Sequence, residues 1–170
     1  RLLTKIPNQS YLGRLPKITL NQEREMDVEQ IAIGTFSPLE GFMGQADFQS
    51  VLNDWRLANG IIWPLPIVLD VSQVQADELE IGQPVLLVNQ AGLEVAILNL
   101  AEKYHYDKKD VVLKLYGTDS PLHPGVVALN KMQGVLLGGK IDLIRRRQSE
   151  FKEYELTPAQ VRGLFEEKGW

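Results

Sequence analysis

The stretch nearest to a known chemical motif runs Gly134-Val135-Leu136-Leu137-Gly138-Gly139-Lys140. Its spacing satisfies seven positions of a P-loop, in which backbone N–H groups cradle phosphate and a lysine reaches the outer oxygens. The eighth position needs a hydroxyl to hold magnesium, and here it is Ile141. A P-loop also opens a helix, whereas Ile141-Asp142-Leu143-Ile144 alternates as a strand does. The spacing predicts a glycine-kinked strand, not a phosphate cradle.

Asp119 and His123 stand four apart in the loop from Gly117 to Val126, a separation at which the two could ligate a metal or pass a proton. Pro121 and Pro124 stiffen that loop and no third ligand lies beside it in sequence. Both side chains are therefore expected to hydrogen-bond the loop's own backbone. His105, between Tyr104 and Tyr106, precedes a helical pattern and should pack at its start. Ser37 in Phe36-Ser37-Pro38 lacks the strand-turn-helix setting of an activated nucleophile. The pairs Glu78/Glu80 and Glu166/Glu167 sit among polar residues and read as solvated. Asn8-Gln9-Ser10 is a formal glycosylation sequon without a secretory context. Arg145-Arg146-Arg147 is followed by Glu150 and Glu153, which makes it a mixed-charge segment. No catalytic, substrate-binding or metal residue is assigned on these grounds.

The elements that would position such residues follow from apolar spacing and caps. Asn21 can cap a helix carrying Met26, Val28, Ile31 and Ala32, closed by Gly34. Phe48, Val51, Leu52 and Trp55 fall at i, i+3, i+4 and i+7, one face of a second helix. Asp107 caps a third, with Val111, Val112 and Leu115 on its buried side and Gly117 as terminator. Thr157-Pro158-Ala159-Gln160 is a capping box for a last helix, Leu156 and Val161 form its staple, and Val161, Leu164 and Phe165 face one way. That helix is expected to pack against the domain. Ile61 to Val71 reads as a strand whose Pro64 and Pro66 assign it to an edge or a bulge. Pro84 to Val88 and Leu93 to Leu100 flank the turn Asn89 to Gly92, a hairpin. Without regular βαβ alternation, the pattern predicts an α+β domain built on a small, bent, mostly antiparallel barrel with flanking helices.

At 170 residues, 44% apolar and 24% charged, the chain has the composition of one globular domain. No apolar run approaches the roughly 18 residues of a membrane span, and Arg1 to Ser10 contain no signal-peptide core. With no cysteine, disulfides and thiolate chemistry are excluded. A cytoplasmic setting is expected. A net charge of −4 argues against nucleic acid as partner, because polyanion binding needs a basic stripe.

Several segments, taken in order, resemble one family. They are Gly34-Thr35-Phe36-Ser37-Pro38-Leu39-Glu40-Gly41-Phe42-Met43-Gly44, then Trp55 to Gly60 with Trp63-Pro64-Leu65-Pro66-Ile67. The proline-rich loop from Gly117 to Val126, Gly138-Gly139-Lys140-Ile141 and Leu156-Thr157-Pro158-Ala159 follow. The set is similar to the amino-terminal domain of ATP sulfurylases (sulfate adenylyltransferases). The resemblance implies a PUA-like fold over residues 1–156, with 157–170 as a helix and the start of a linker to a catalytic nucleotidyltransferase domain. It implies a parent enzyme that joins ATP and sulfate into adenylyl sulfate and diphosphate, using magnesium with the ATP. The family's Gln-Thr-Arg-Asn-Pro, His-x-x-His and Gly-Arg-Asp-His-Ala-Gly runs belong to that next domain and do not occur here, and the resemblance leads us to expect a few family residues before Arg1. The chain is thus expected to be an inactive scaffold whose partner is its own carboxy-terminal domain, compatible with a homo-oligomer. Whether the loop from Gly117 to Val126 reaches the neighbouring active site stays open. A stand-alone RNA-binding module is the alternative, since PUA-like folds elsewhere bind RNA.

Overall fold

The computed structural model describes residues 7–151 and 153–170. The reading of Arg1 to Ser10 therefore falls largely outside the described residues. In chain order the elements are α1 (Gln9–Leu12), β1 (Lys17–Thr19), α2 (Gln22–Ile33), β2 (Gly41–Phe42), α3 (Gln45–Asp54), β3 (Leu69–Val71) and α4 (Gln73–Asp77). There follow β4 (Pro84–Val88), β5 (Glu94–His105), α5 (Lys108–Tyr116), α6 (Pro124–Lys131), β6 (Val135–Leu143) and α7 (Pro158–Lys168). The strands pair in the order β1-β4-β5-β6-β2, with β3 joined to β6. β1 runs parallel to β4, while β4–β5 and β3–β6 are antiparallel.

The α+β class and the PUA-like mixture of helices on a mixed sheet stand. Barrel closure does not: the six strands form an open path ending at β1 and β2. Closure needs long edge strands with free backbone groups in register. Here the ends of the path are three and two residues long, the short edges that discourage further pairing.

The chain forms two compact units, each assembled from separate stretches. The first comprises residues 7–41, 84–99 and 140–170 of those described. Leu12, Leu86, Val88 and Ile97 pack there in one buried cluster, with Leu15 and Ile144 against it. α2 is the helix that its caps predict: Asn21 Oδ1 accepts from the Arg24 N–H at 2.8 Å, and Gly34 closes it at φ 88°. The hairpin also forms as expected, with Asn89 N–H donating to Leu93 O at 2.9 Å and a bulge at Leu87/Val88.

The second unit comprises residues 42–83 and 100–139. Phe48 packs its ring against Tyr104 and edge-on against Tyr106, at 5.7 and 6.0 Å between centroids. α5 packs against both α3 and α6. Asp107 and Gly117 cap α5 as expected, and Val111 and Val112 are buried while Leu115 is half-buried.

Three expectations need correcting. Trp55 does not extend the apolar face of α3: the helix ends at Asp54, and Trp55 caps it in the left-handed region at φ 56°, with 59% of its surface exposed. The stretch from Ile61 to Val71 is strand only over Leu69–Val71. Pro64 and Pro66 lack the N–H that a ladder needs, and they leave the rest as loop. The last helix has its capping box and closes at Gly169, but none of its residues is buried. Leu164 and Phe165 are exposed; Phe165 instead meets Trp170, 5.9 Å between centroids. Among the described residues, no helix is long and apolar enough to cross a membrane.

Candidate functional site

The near-P-loop is a strand. Val135 to Gly139 lie in β6, and Gly138 serves close packing: a Cβ there would stand 2.8 Å from Gly44 Cα and 3.0 Å from Met43 O. The lysine of the motif, Lys140, is exposed and pairs with Glu40, whose carboxyl it holds below its ordinary range.

The loop ahead of α6 is stiff for reasons internal to it. His123 is the N-cap of α6, its Nδ1 accepting from the Val126 N–H at 3.4 Å, with Pro124 in the first turn. The His123 ring lies 4.8 Å from that of Tyr116. Thr118 and Ser120 hydroxyls accept from the N–H groups two residues ahead, so they, and not the exposed Asp119, turn the loop. His105 ends β5, exposed, with Nδ1 3.3 Å from Gly134 O. Ser37 is exposed ahead of a cis Ser37–Pro38 bond. Glu78, Glu80, Glu166 and Glu167 are exposed. Asn8 caps α1, accepting from the Tyr11 N–H at 2.8 Å. Among the described residues, no group of three or more His, Asp or Glu is placed to hold a metal ion.

What the structure does bring together is the basic triplet and three glutamates. Arg145 lies 3.8 Å from Glu94. Glu29, on α2, is a carboxylate only 4% exposed. Its Oε1 accepts from Arg146 Nε at 2.6 Å, and its Oε2 accepts from the Arg147 N–H at 3.3 Å, with Arg147 Nε at 3.9 Å. Glu155 returns to the same two guanidinia at 3.7 and 3.9 Å and accepts from the Ser149 hydroxyl at 2.5 Å. Within this knot two cations meet two anions. A carboxylate taken out of water is tolerated only when paired and hydrogen-bonded, and removing one partner of such a pair costs about 3–5 kcal/mol. Arg146 and Arg147 thus serve the fold by holding Glu29 and Glu155.

Sequence reading missed Glu29, because its burial depends on partners 117 and 118 positions away. It also missed Glu102. The N-cap of α3 is Gly44, which has no side chain to cap with, and Glu102 Oε2 accepts the Gln45 N–H at 2.8 Å instead. Where other groups titrate abnormally, the cause is again structural. Burial pushes Asp27 up, opposed by its partner Arg24. Burial, then Glu102 and Asp47, push Tyr104 up, so its phenol keeps the proton it donates to Met43 O at 2.8 Å.

A family model described as a PUA-like domain matches residues 7–146. A sulfate adenylyltransferase of Symbiobacterium thermophilum is 41% identical over 157 residues, 92% of this chain and 40% of that protein. A second, from Cenarchaeum symbiosum, is 40% identical over the whole chain and 45% of its own length. The chain therefore spans less than half the length of the curated relatives it matches. Among solved structures, a chain described as a hexameric APS kinase from Thiobacillus denitrificans shares the fold, with TM-score 0.70 and 23% identity over 95% of this chain and 28% of that one. With the family model covering most of its length, the chain belongs to the PUA-like domain family, and curated relatives at about 40% identity are sulfate adenylyltransferases.

Proposed function

We propose that this chain is the non-catalytic, PUA-like scaffold portion of a sulfate adenylyltransferase. The parent would join ATP and sulfate into adenylyl sulfate and diphosphate in a cytoplasmic setting. The observation that carries the reading is the pairing of high identity to these enzymes with a set of polar groups already in structural use. Transfer between two anions needs cationic and N–H donors converging on the reacting phosphate. Here the arginine triplet is matched by Glu29, Glu94 and Glu155, His123 caps a helix, and the glycine-rich strand presses its backbone on Gly44.

Magnesium with ATP is assigned to the remainder of the parent, the stretch of this chain that resembles a phosphate cradle being the strand β6. The partner of this portion is then its own carboxy-terminal catalytic domain. A homo-oligomer is the assembly we expect, the fold neighbour being described as hexameric.

The experiment is pyrophosphate release from ATP with sulfate and magnesium, run on residues 1–170 and on the full-length parent, with calorimetric titration of ATP into each. The parent should turn over and the 170-residue chain should stay at background. Sulfate-dependent turnover by residues 1–170 would overturn the scaffold reading, and an inactive parent would overturn the parent reaction.

A further inference from the structure

Beyond β6 the chain leaves the sheet and is held by charge. The knot of Glu29, Arg146, Arg147 and Glu155 is graded from inside to outside. The Glu29 side chain is 5% exposed, Arg146 26%, and Arg147 and Glu155 33% each. Past the knot comes α7, an eleven-residue helix with no buried residue. Its caps keep it helical: Thr157 and Gln160 exchange bonds at its start, and at its end the Gly169 and Trp170 N–H groups donate to Glu166 O and Phe165 O. Caps do not fix where a helix lies, and a helix this short draws its stability mostly from a packed face. That face is only partly packed: Val161 is half-buried while Leu164 and Phe165 are exposed. A cleft of about 720 Å³ lies at this end of α2, lined by Gln30, Ile33 and Thr35 together with Leu156, Val161 and Arg162.

We infer that residues 145–151 and 153–157 form a strap pinned at Glu29, and that α7 rides on it as an arm whose angle to α2 is set by the ionic knot. The bond from Arg146 to Glu29 is short and directional and fixes the inner end of the strap, while Glu155 is held by the Ser149 hydroxyl at 2.5 Å and by charge contacts at 3.7 and 3.9 Å. The grading gives the strap an order of opening. The half formed by Arg147 and Glu155 meets water and releases first; the bond from Arg146 to buried Glu29 releases last. Ile33 and Val161 line the same cleft, and burying them together would favour closure of the arm once it is free. The strap is a property of this chain alone, independent of the reaction the parent performs.

The chain has no cysteine, so a spin-label pair can be placed at will: Gln22→Cys on α2 and Glu167→Cys on α7, both exposed. In this background we expect one narrow distance distribution. Glu29→Gln should broaden or displace it and speed amide exchange over 146–151 and 153–168 by about tenfold or more beyond any rise in the β4–β5 hairpin. Glu155→Gln, which opens the outer half, should give the same changes at roughly threefold. An unchanged distribution with unchanged exchange in Glu29→Gln overturns the strap. So does exchange that rises equally in the hairpin, because Glu29 would then serve general stability alone. If Glu29→Gln fails to fold, Glu155→Gln decides by the same two readings, and no displacement there overturns the inference.

Discussion

At the scale of single residues, the histidine in the proline-rich loop is a capping group. His123 accepts a backbone N–H and lies against Tyr116, two ordinary stabilising contacts. A lost N-cap costs about 0.5–2 kcal/mol and a lost ring pair about 0.5–1.5 kcal/mol. His123→Ala should therefore lower stability in urea unfolding by about 1–3 kcal/mol, and His123→Asn, which keeps the cap, should recover part of it. In the full-length parent, His123→Ala should leave ATP and sulfate affinity near the starting value. Unchanged stability with a hundredfold loss of turnover would move the loop from Gly117 to Val126 into an active site. Glu102 follows the same logic from the opposite side, since its carboxylate occupies the place a Gly44 side chain would take, 2.8 Å from the ideal Cβ position.

At the scale of elements, the glycines of β6 show how a motif can match for an unrelated reason. Gly138 is needed because backbone meets backbone: Gly44 Cα, Met43 O and Gly44 N all fall within 3.1 Å of where its Cβ would be. Main-chain atoms cannot rotate out of the way as a long side chain would. Gly138→Ala should cost about 1–3 kcal/mol or more, the range for forcing atoms into a filled space. Gly134→Ala, with nothing within 4 Å of its Cβ, should cost well under 1 kcal/mol by the same measure. Paired urea titrations of the two variants test this. Equal stability in both would remove the packing explanation and reopen the question of why the strand carries glycine.

For the whole molecule, charge decides between the scaffold reading and an RNA-binding module. The net charge is −4, and each residue of the one basic triplet lies within 4 Å of a glutamate. A protein that neutralises several phosphates loses orders of magnitude in affinity between about 50 and 200 mM salt. A fluorescent single-stranded RNA titrated at both salts should show weak binding with a shallow slope. Tight binding that collapses over that range would favour the module.

The sequence by itself determined those features whose causes are local. The caps Asn21, Asp107 and Thr157, the closing glycines at 34 and 117, and the turn from Asn89 to Gly92 are read within a few residues, and each forms as read. Similarity in ordered segments also carried the family. What depended on distant partners was not legible. Trp55 continues an apolar period, yet chain reversal after Asp54 places it in a left-handed cap. Glu29 looks like any helix-surface glutamate until residues 117 and 118 positions away return to it. Val161, Leu164 and Phe165 make a stripe, but a stripe reports only what a helix could bury, and here only Val161 is half-buried while Leu164 and Phe165 stay exposed. Only the tertiary structure decided those three, because burial and ion pairing belong to the pair of surfaces that meet and periodicity describes one of them.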